Sequence, residues 1–271
     1  MENQNHLLFN QSSESLLPVV DRSVPLIVTS PPYYNLKEYD HPGQIGKGET
    51  YEAYLERMKK VFQECYRVLD DDGKMIINIG DAYQQTRKYF RHQAYPCFAD
   101  FAVMLREIGM TYYGTIMWVK FSSRDVPACS GTYPYPAAGF VLTGHEYIQI
   151  FKKPGKRTLE LKPENKEASK LTRHEWVKYH TGVWQFPGVA TAVRGDHPAP
   201  YPVEIPHRII RMFSFVGDAV LDPFVGSGTT LVAASLNKRI GIGFELSPTY
   251  AAFAEDWFNK HKMEGDTLER R

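Results

Sequence analysis

The chain of 271 residues lacks the features that usually mark disulfide-rich, membrane-spanning or metal-binding proteins. Its three cysteines include no CxxC pair, and no apolar run approaches the ~20 residues that a membrane-spanning helix needs. The nine histidines show no HxxxH spacing, so we expect no metal site. The first residues have neither the basic nor the apolar region of a signal peptide. These absences predict a reduced, cytoplasmic protein whose thiols serve mainly in packing.

An excess of charge of either sign is also missing. Lys and Arg number 32 and Asp and Glu number 31, for a formal net charge of +1. This balance does not by itself indicate a protein that binds nucleic acid. The charge is unevenly spread, however, because residues 152–178 contain nine Lys or Arg and four Glu. Such a segment is usually a solvated surface, although it could also follow the phosphates of DNA.

Apolar patterns predict strands that alternate with helices, which is typical of a largely parallel sheet covered on both faces. The predicted strands are 6–10, 24–29, 74–79, 111–119, 145–151, 219–221 and 240–244. The predicted helices are 49–69, 95–108, 202–215, 229–236 and 248–260. Residues 70–73 are expected to stop the first helix before the next strand. Residues 152–196 are polar and have no clear period, so they form a predicted insert between residues 1–151 and 197–271.

One strand runs into a glycine turn with the sequence Asp222-Pro-Phe-Val-Gly-Ser-Gly. Gly226 and Gly228 allow the backbone to approach a ligand closely. A phosphate-binding loop would need a lysine after the second glycine, and Thr229 stands there instead. A carboxylate at the end of the strand would repel a polyphosphate, whereas it suits a ligand that carries an ammonium or sulfonium group.

The next strand ends in a second carboxylate, that of Glu245. It follows Asp222 by about 20 residues, which is the usual spacing for an acid that accepts hydrogen bonds from ribose hydroxyls. Glu245 could instead cap the helix that begins near Pro248. Taken together, the two acids favour a site for a charged nucleoside cofactor.

Near the other end of the chain, a strand ends in Thr29-Ser-Pro-Pro-Tyr33. The two prolines fix the backbone and remove two donors, so Ser30 and Tyr33 are held rigidly. Open α/β sheets bind ligands at the carboxyl ends of their strands. A hydroxyl beside an aromatic ring at such an end suits a pocket for one planar base, although Pro-Pro-Tyr also occurs in loops without function.

Both turns resemble those of the amino-group DNA methyltransferases, whose catalytic turn is (Asp/Asn/Ser)-Pro-Pro-(Tyr/Phe) and whose cofactor turn matches residues 222–230. The catalytic turn comes first here, as in the permuted group called beta. Residues 73–78, 117–120, 145–152 and 197–202 match as well. The resemblance implies an α/β, Rossmann-like S-adenosylmethionine-dependent methyltransferase fold. This fold is a mostly parallel seven-stranded sheet with helices on both faces, circularly permuted, with a small target-recognition insert.

The resemblance implies S-adenosyl-L-methionine as the cofactor. The residues that it places at this cofactor are Gln11, Asp222, Pro223, Phe224, Gly226, Ser227, Gly228, Thr229, Thr230, Glu245, His197 and Pro202. Permutation also implies that residues 6–10 form the strand beside that of Glu245, because only one helix remains after it. Gln11 would then replace a family carboxylate that accepts a hydrogen bond from the adenine amino group.

For catalysis, the resemblance implies roles for Ser30, Pro31, Pro32 and Tyr33. The Ser30 hydroxyl and the Pro31 carbonyl would accept the two N–H bonds of an exocyclic amine and orient its lone pair toward the methyl group. Tyr33 would stack on a base flipped out of the duplex. Family members with serine at this position mostly modify the N4 amine of cytosine, so we predict that target. The alternatives are the N6 amine of adenine and a module that binds DNA without catalysis.

Double-stranded DNA is the predicted partner, and the insert is its predicted recognition element. The basic side chains expected at DNA are Arg124, Lys153, Lys156, Arg157, Lys170 and Arg173. Most other lysines of the insert are expected to be solvated. The resemblance further implies a restriction-modification system with a separate endonuclease, in the cytoplasm and near the nucleoid of a bacterium or archaeon. Whether the protein is a monomer or a homodimer stays open.

Overall fold

The structure, a computed structural model, describes residues 6–35, 41–86, 91–120, 143–188 and 201–264. Its strands are β1 (His6–Asn10), β2 (Val24–Thr29), β3 (Leu69–Ile79), β4 (Ala82–Thr86), β5 (Arg91–Tyr95), β6 (Thr111–Val119), β7 (His145–Lys152), β8 (Val183–Gln185), β9 (Ala219–Asp222) and β10 (Ile240–Glu245). Its helices are α1 (Tyr51–Val68), α2 (Cys97–Ile108), α3 (Pro163–Ala168), α4 (Arg173–Tyr179), α5 (Glu204–Phe213), α6 (Thr229–Leu236) and α7 (Pro248–Glu264). Among the described residues, no helix is long and apolar enough to cross a membrane.

Eight of the strands form one central sheet in the order β1-β10-β9-β2-β3-β7-β6-β8, and β4 pairs with β5 in a separate hairpin. The first five strands of this order are parallel to one another, β7 is antiparallel to both of its neighbours, and β8 is parallel to β6. The mostly parallel α/β fold is therefore confirmed. The sheet has one strand more than the predicted seven, because residues 183–185 of the predicted insert pair with β6.

The first strand of the chain lies beside the strand that ends in Glu245, as the permuted order predicts. β1 pairs with β10 in parallel, from His6 opposite Gly241 to Asn10 opposite Glu245. The Asn10 amide also donates to the Glu245 carbonyl oxygen at 2.8 Å. The prediction for residues 6–10 is thus confirmed, because this strand lies at the side of the sheet formed by β9 and β10.

Alternate residues of β2 pack on opposite faces of the sheet, which explains why the whole strand is apolar. Ile27 packs in the core under α1 and α2, whereas Leu26 and Val28 pack under α5 and α6. All six residues of β2 are buried. Two cysteines, Cys65 and Cys97, lie buried and free among the described residues, in agreement with packing roles.

Residues 70–73 do not separate the first helix from a strand, because β3 already begins at Leu69. The buried carboxylate of Asp70 accepts hydrogen bonds from the backbone N–H groups of Thr158 at 3.1 Å and Leu159 at 3.3 Å. Through these hydrogen bonds, the acidic run attaches the chain that follows β7 to the start of β3. The helix does end just before this run, at Val68, as expected, but the strand begins at Leu69 instead of residue 74, because tertiary partners satisfy polar groups that the sequence pattern assigns to solvent.

We call the edge of the sheet where the parallel strands end the carboxyl edge, and the opposite edge the amino edge. At the carboxyl edge, the buried Asp222 carboxylate accepts hydrogen bonds from the Thr29 hydroxyl at 2.7 Å and the Phe224 N–H at 2.9 Å. The Thr230 hydroxyl donates to its second oxygen. The end of β9, the first turn of α6 and the end of β2 are thus joined at one carboxylate.

Burial raises the pKa of Asp222 from its ordinary value of 3.8 to about 6. A carboxyl group whose pKa rises on folding stabilises the fold below its unfolded value and loses that contribution as the pH rises through the folded value. Between about pH 4 and 7, the free energy of unfolding should therefore fall by about 2 kcal/mol more in the native protein than in Asp222→Asn. Urea unfolding of both proteins across this range checks it, and parallel curves would contradict it.

The glycine turn packs directly on β10, and a substitution at Gly243 of this strand tests that packing. A Cβ atom at Gly243 would lie 2.3 Å from the Cγ2 atom of the buried Val225. Gly243→Ala should therefore cost about 1–3 kcal/mol of stability through overpacking. The matched control is Gly182→Ala, where nothing lies within 4 Å of the new methyl group. Equal unfolding midpoints for the two variants would show that the methyl group at position 243 does not overpack against Val225 of the turn.

Candidate functional site

A cavity of about 390 Å³ opens at the carboxyl edge. It lies between the ends of β9 and β10 on one side and the ends of β2, β3 and β6 with the start of β7 on the other. Nine of the residues predicted for the site are in its wall, namely Ser30, Pro31, Pro32, Tyr33, Pro223, Phe224, Gly226, Ser227 and Glu245. The fold therefore brings the two turns, distant in sequence, to one cavity.

The glycine turn forms the side of the cavity above β10. Gly226 and Gly228 have positive φ angles of 52° and 84°, which only glycine adopts readily. The Glu245 carboxylate accepts hydrogen bonds from the backbone N–H groups of Gly226 and Ser247, each at 2.9 Å. Burial raises the pKa of Glu245, while these N–H groups lower it. A carboxylate has about four acceptor positions, so Glu245 can also accept from the hydroxyls of a ribose.

Several residues predicted at the cofactor do not line the cavity. Those that lie outside its wall are Gln11, Pro202, Asp222, Gly228, Thr229 and Thr230. Asp222 lies behind the turn with its oxygens occupied by three donors, so its predicted contact with a cationic ligand was wrong. The Gln11 amide donates to the Ser15 carbonyl at 3.2 Å, and Ser12 and Ser13 line the cavity in its place. His197 lies outside the described residues.

The Ser-Pro-Pro-Tyr turn is held from behind by tyrosines. The Tyr54 hydroxyl donates to the Pro32 carbonyl at 2.9 Å, and the buried Tyr34 ring packs against Tyr51, Tyr54 and Tyr95 at centroid distances of 4.8–5.6 Å. Tyr34 thus has a packing role. Ser30, Pro31 and Tyr33 line the cavity in front of this support.

Polar residues that the sequence analysis did not assign to the site form the rest of this side. The Glu146 carboxylate at the start of β7 accepts from the Asn78 amide at 2.6 Å and from the Lys120 ammonium. The three side chains belong to strand ends that meet at the carboxyl edge, and all three line the cavity. The segments that resemble the family include each of them, so the rule that ligands bind at strand ends could have found them.

Of the side chains predicted to contact DNA, Lys153 and Arg157 serve the fold instead. Lys153 is only 5% exposed, and its ammonium donates to the carbonyls of Tyr66 and Leu69 at 2.8 and 2.7 Å. Arg157 forms two hydrogen bonds with the Asp218 carboxylate, at 2.7 and 3.1 Å. Both predictions were wrong because these cations are paired inside the fold at the amino edge.

Lys156, Lys170 and Arg173 are exposed. Lys170 pairs with Glu167 at 2.5 Å, and its carbonyl accepts from Arg211 near the end of α5. The chain reaches this region after β7 has crossed from the carboxyl edge to the amino edge, a length of about 26 Å. We therefore do not place DNA on these three residues while a base occupies the cavity. Arg124 lies outside the described residues.

The wall of the cavity fits S-adenosyl-L-methionine beside a base. On the β10 side, the glycine turn with Glu245 offers open backbone and an acceptor for ribose hydroxyls, as a nucleoside requires. On the β2 side, acceptors and a flat ring at Ser30, Pro31 and Tyr33 suit a planar group that carries an amine. The described residues contain no group of His, Cys, Asp and Glu arranged to hold a metal ion.

Comparisons with known proteins identify the family to which the chain belongs. The model of a DNA methylase family that covers N6 and N4 enzymes matches residues 24–256. The Type II methyltransferase M.MjaI of Methanocaldococcus jannaschii is 31% identical over 93% of this chain and 90% of its own. The Type II methyltransferase M.MthZI of Methanothermobacter thermautotrophicus is 31% identical over 98% of this chain and 80% of its own.

Solved structures that resemble this chain are also DNA methyltransferases. A candidate DNA modification methylase from Thermus thermophilus, in complex with S-adenosyl-L-methionine, has a TM-score of 0.77 and 34% identity, and the match covers 94% of each chain. The cytosine-N4-specific PvuII DNA methyltransferase has a TM-score of 0.67 over 97% of this chain and 94% of its own, and its 20% identity shows the fold alone. The chain thus belongs to the N6 and N4 DNA methylases, and it is a DNA methyltransferase that uses S-adenosyl-L-methionine.

Proposed function

We propose that the protein methylates the exocyclic N4 amine of a cytosine flipped out of duplex DNA. The observation that carries the proposal is the position of Ser30 and Pro31 in the wall of the cavity, opposite the glycine turn and Glu245. The hydrogen bond between Thr29 and Asp222 ties the two turns together directly beneath this point. A methyl donor bound at one turn and an amine bound at the other would therefore lie in the same cavity.

An exocyclic amine is a poor nucleophile because its lone pair is delocalised into the ring. S-adenosyl-L-methionine supplies a methyl group on a sulfonium. The Ser30 hydroxyl and the Pro31 carbonyl accept the two N–H bonds of the amine, which favours a tetrahedral nitrogen with its lone pair turned toward the methyl group. These acceptors are already oriented by the proline-fixed turn, so little reorganisation accompanies the reaction.

The Tyr33 ring lines the cavity beside these acceptors and offers a surface on which a flipped base can stack. A base inside a duplex cannot reach a cavity at the carboxyl edge, so the proposal includes base flipping. Serine at the first position of the catalytic turn supports cytosine, and adenine at N6 is the second candidate. Either amine could be held by a hydroxyl and a carbonyl, so the choice depends on the resemblance.

We further propose that the enzyme modifies a specific sequence within a restriction-modification system in the cytoplasm. The Type II designation of M.MjaI and M.MthZI supports this role. Residues 152–196 remain the proposed target-recognition segment. Within it, residues 186–188 are better placed than the amino-edge lysines, because β8 ends at the carboxyl edge and Gly188 lines the cavity.

Replacing Ser30 tests the proposed role of its hydroxyl. Ser30→Ala should lower the rate of methyl transfer to DNA by about 10²–10³-fold, since one oriented partner of the amine is lost, while binding of S-adenosyl-L-methionine is retained. The matched control is Ser23→Ala, because Ser23 lies at the opposite end of β2 and its hydroxyl donates to the Val20 carbonyl. Single-turnover transfer of a radiolabelled methyl group measures both variants, and full activity of Ser30→Ala would refute the role.

The target base is tested by digesting methylated duplex DNA to nucleosides. We expect N4-methylcytosine, because the catalytic turn carries serine rather than aspartate. Mass spectrometry of the nucleosides separates this product from N6-methyladenine. N6-methyladenine without N4-methylcytosine would overturn the choice of base and leave the methyl transfer to DNA intact.

A further inference from the structure

Glu146 is the carboxylate that lies on the base side of the cavity. Its side chain is 13% exposed, and it is fixed by the Asn78 amide and the Lys120 ammonium on the two flanking strands. The Oδ1 atom of Asn78 is buried and has no hydrogen-bond partner. The other carboxylate in the wall, Glu245, lies on the cofactor side.

Glu146 and the catalytic turn meet at Tyr33. A Cβ atom at Gly80 would lie 3.3 Å from the Glu146 Cγ atom and 3.8 Å from the Tyr33 hydroxyl, so both side chains converge on the same glycine. Burial and the neighbouring Glu146 carboxylate raise the pKa of Tyr33 well above its ordinary value, and the Ser30 hydroxyl lowers it. The phenol therefore stands between the Ser30 hydroxyl and the Glu146 carboxylate.

Methylation of an amine leaves a proton that must be removed. When the N–C bond forms and the C–S bond breaks, the nitrogen gains a positive charge, and a neutral product requires that one N–H bond also break. The Pro31 carbonyl cannot keep this proton. The Ser30 hydroxyl can take it only if its own proton moves on, which an aspartate at this position would not require.

Given the proposed function, we propose that Glu146 is the terminal acceptor of this proton, which reaches it through Ser30 and Tyr33. The amine N–H proton passes to the Ser30 oxygen, the Ser30 proton passes to the Tyr33 oxygen, and the Tyr33 proton passes to a Glu146 oxygen. One N–H bond is lost and one carboxyl O–H bond is gained, and both hydroxyls end as they began. Glu146 acts through these residues and is therefore a positioning residue.

The ion pair with Lys120 does not prevent this role. A protonated, methylated exocyclic amine is a far stronger acid than a carboxylic acid, so transfer to Glu146 is downhill even beside an ammonium. The groups that face Glu146 are Tyr33, Lys120 and the neutral Asn78, and His145 precedes it on β7. Asp81, which follows β3, lies near His145 and has a pKa raised by burial, but it is not in the cavity wall.

The experiment measures single-turnover methyl transfer to duplex DNA against pH, at saturating S-adenosyl-L-methionine. We expect Glu146→Gln to lower the plateau rate by about 10²-fold, in the range of general base catalysis, with cofactor binding unchanged. Lys120→Met should move the acidic limb of the profile, because it removes the cation that pairs with the Glu146 carboxylate. The double variant Glu146→Gln with Lys120→Met should have the same acidic limb as Glu146→Gln alone.

Asp81→Asn is the matched control and should keep the acidic limb of the native enzyme. A wild-type rate in Glu146→Gln would overturn the proposal, as would a shift by Lys120→Met that persists without Glu146. Loss of the limb in Asp81→Asn alone would assign the proton to Asp81 instead. If the native enzyme transfers no methyl group to DNA at all, the proposed function fails, which is a separate outcome from any of these.

Discussion

The site depends on one buried carboxylate. Asp222 receives hydrogen bonds from Thr29 at the end of β2, from Phe224 in the glycine turn and from Thr230 in α6. Thr29 and Asp222 are 193 positions apart in the sequence, yet this contact joins the two turns that we propose to hold the methyl donor and the amine. Transfer of a methyl group needs its two reactants in near contact and in line. The Asp222 carboxylate, which is hydrogen-bonded to both turns, holds them in fixed positions for this purpose.

The direction of the strands decides which side chains can join the cavity. The five parallel strands all end at the carboxyl edge, and β7 begins there because it is antiparallel. Glu146 therefore meets the ends of β3 and β6, where Asn78 and Lys120 lie. By the same reversal, the chain after β7 emerges at the amino edge. One antiparallel strand thus adds a carboxylate to the site and carries the basic segment away from it.

Much of this could be predicted from the sequence, because the informative residues sit in rigid local turns. Ser30, Tyr33 and Glu245 line the cavity, and the permuted order correctly placed residues 6–10 beside β10. What failed depended on long-range partners. Asp222 faces hydroxyl groups that no local pattern reveals. Lys153, in a segment whose composition suggests a solvated surface, is buried against carbonyls of Tyr66 and Leu69.

The segment after β7 supports the fold through its contacts and does not extend from it as a basic arm. It is pinned at the amino edge where Arg157 pairs with Asp218, and it returns through α4 to β8. There the Arg208 guanidinium of α5 lies over the rings of Tyr179, Trp184 and Phe186 at 4.9–5.4 Å, contacts that favour a fixed position for β8. Because β8 extends the sheet and ends beside the cavity, the contacts of Arg157 and Arg208 help to hold residues 186–188 at the carboxyl edge, where the proposed flipped base would enter.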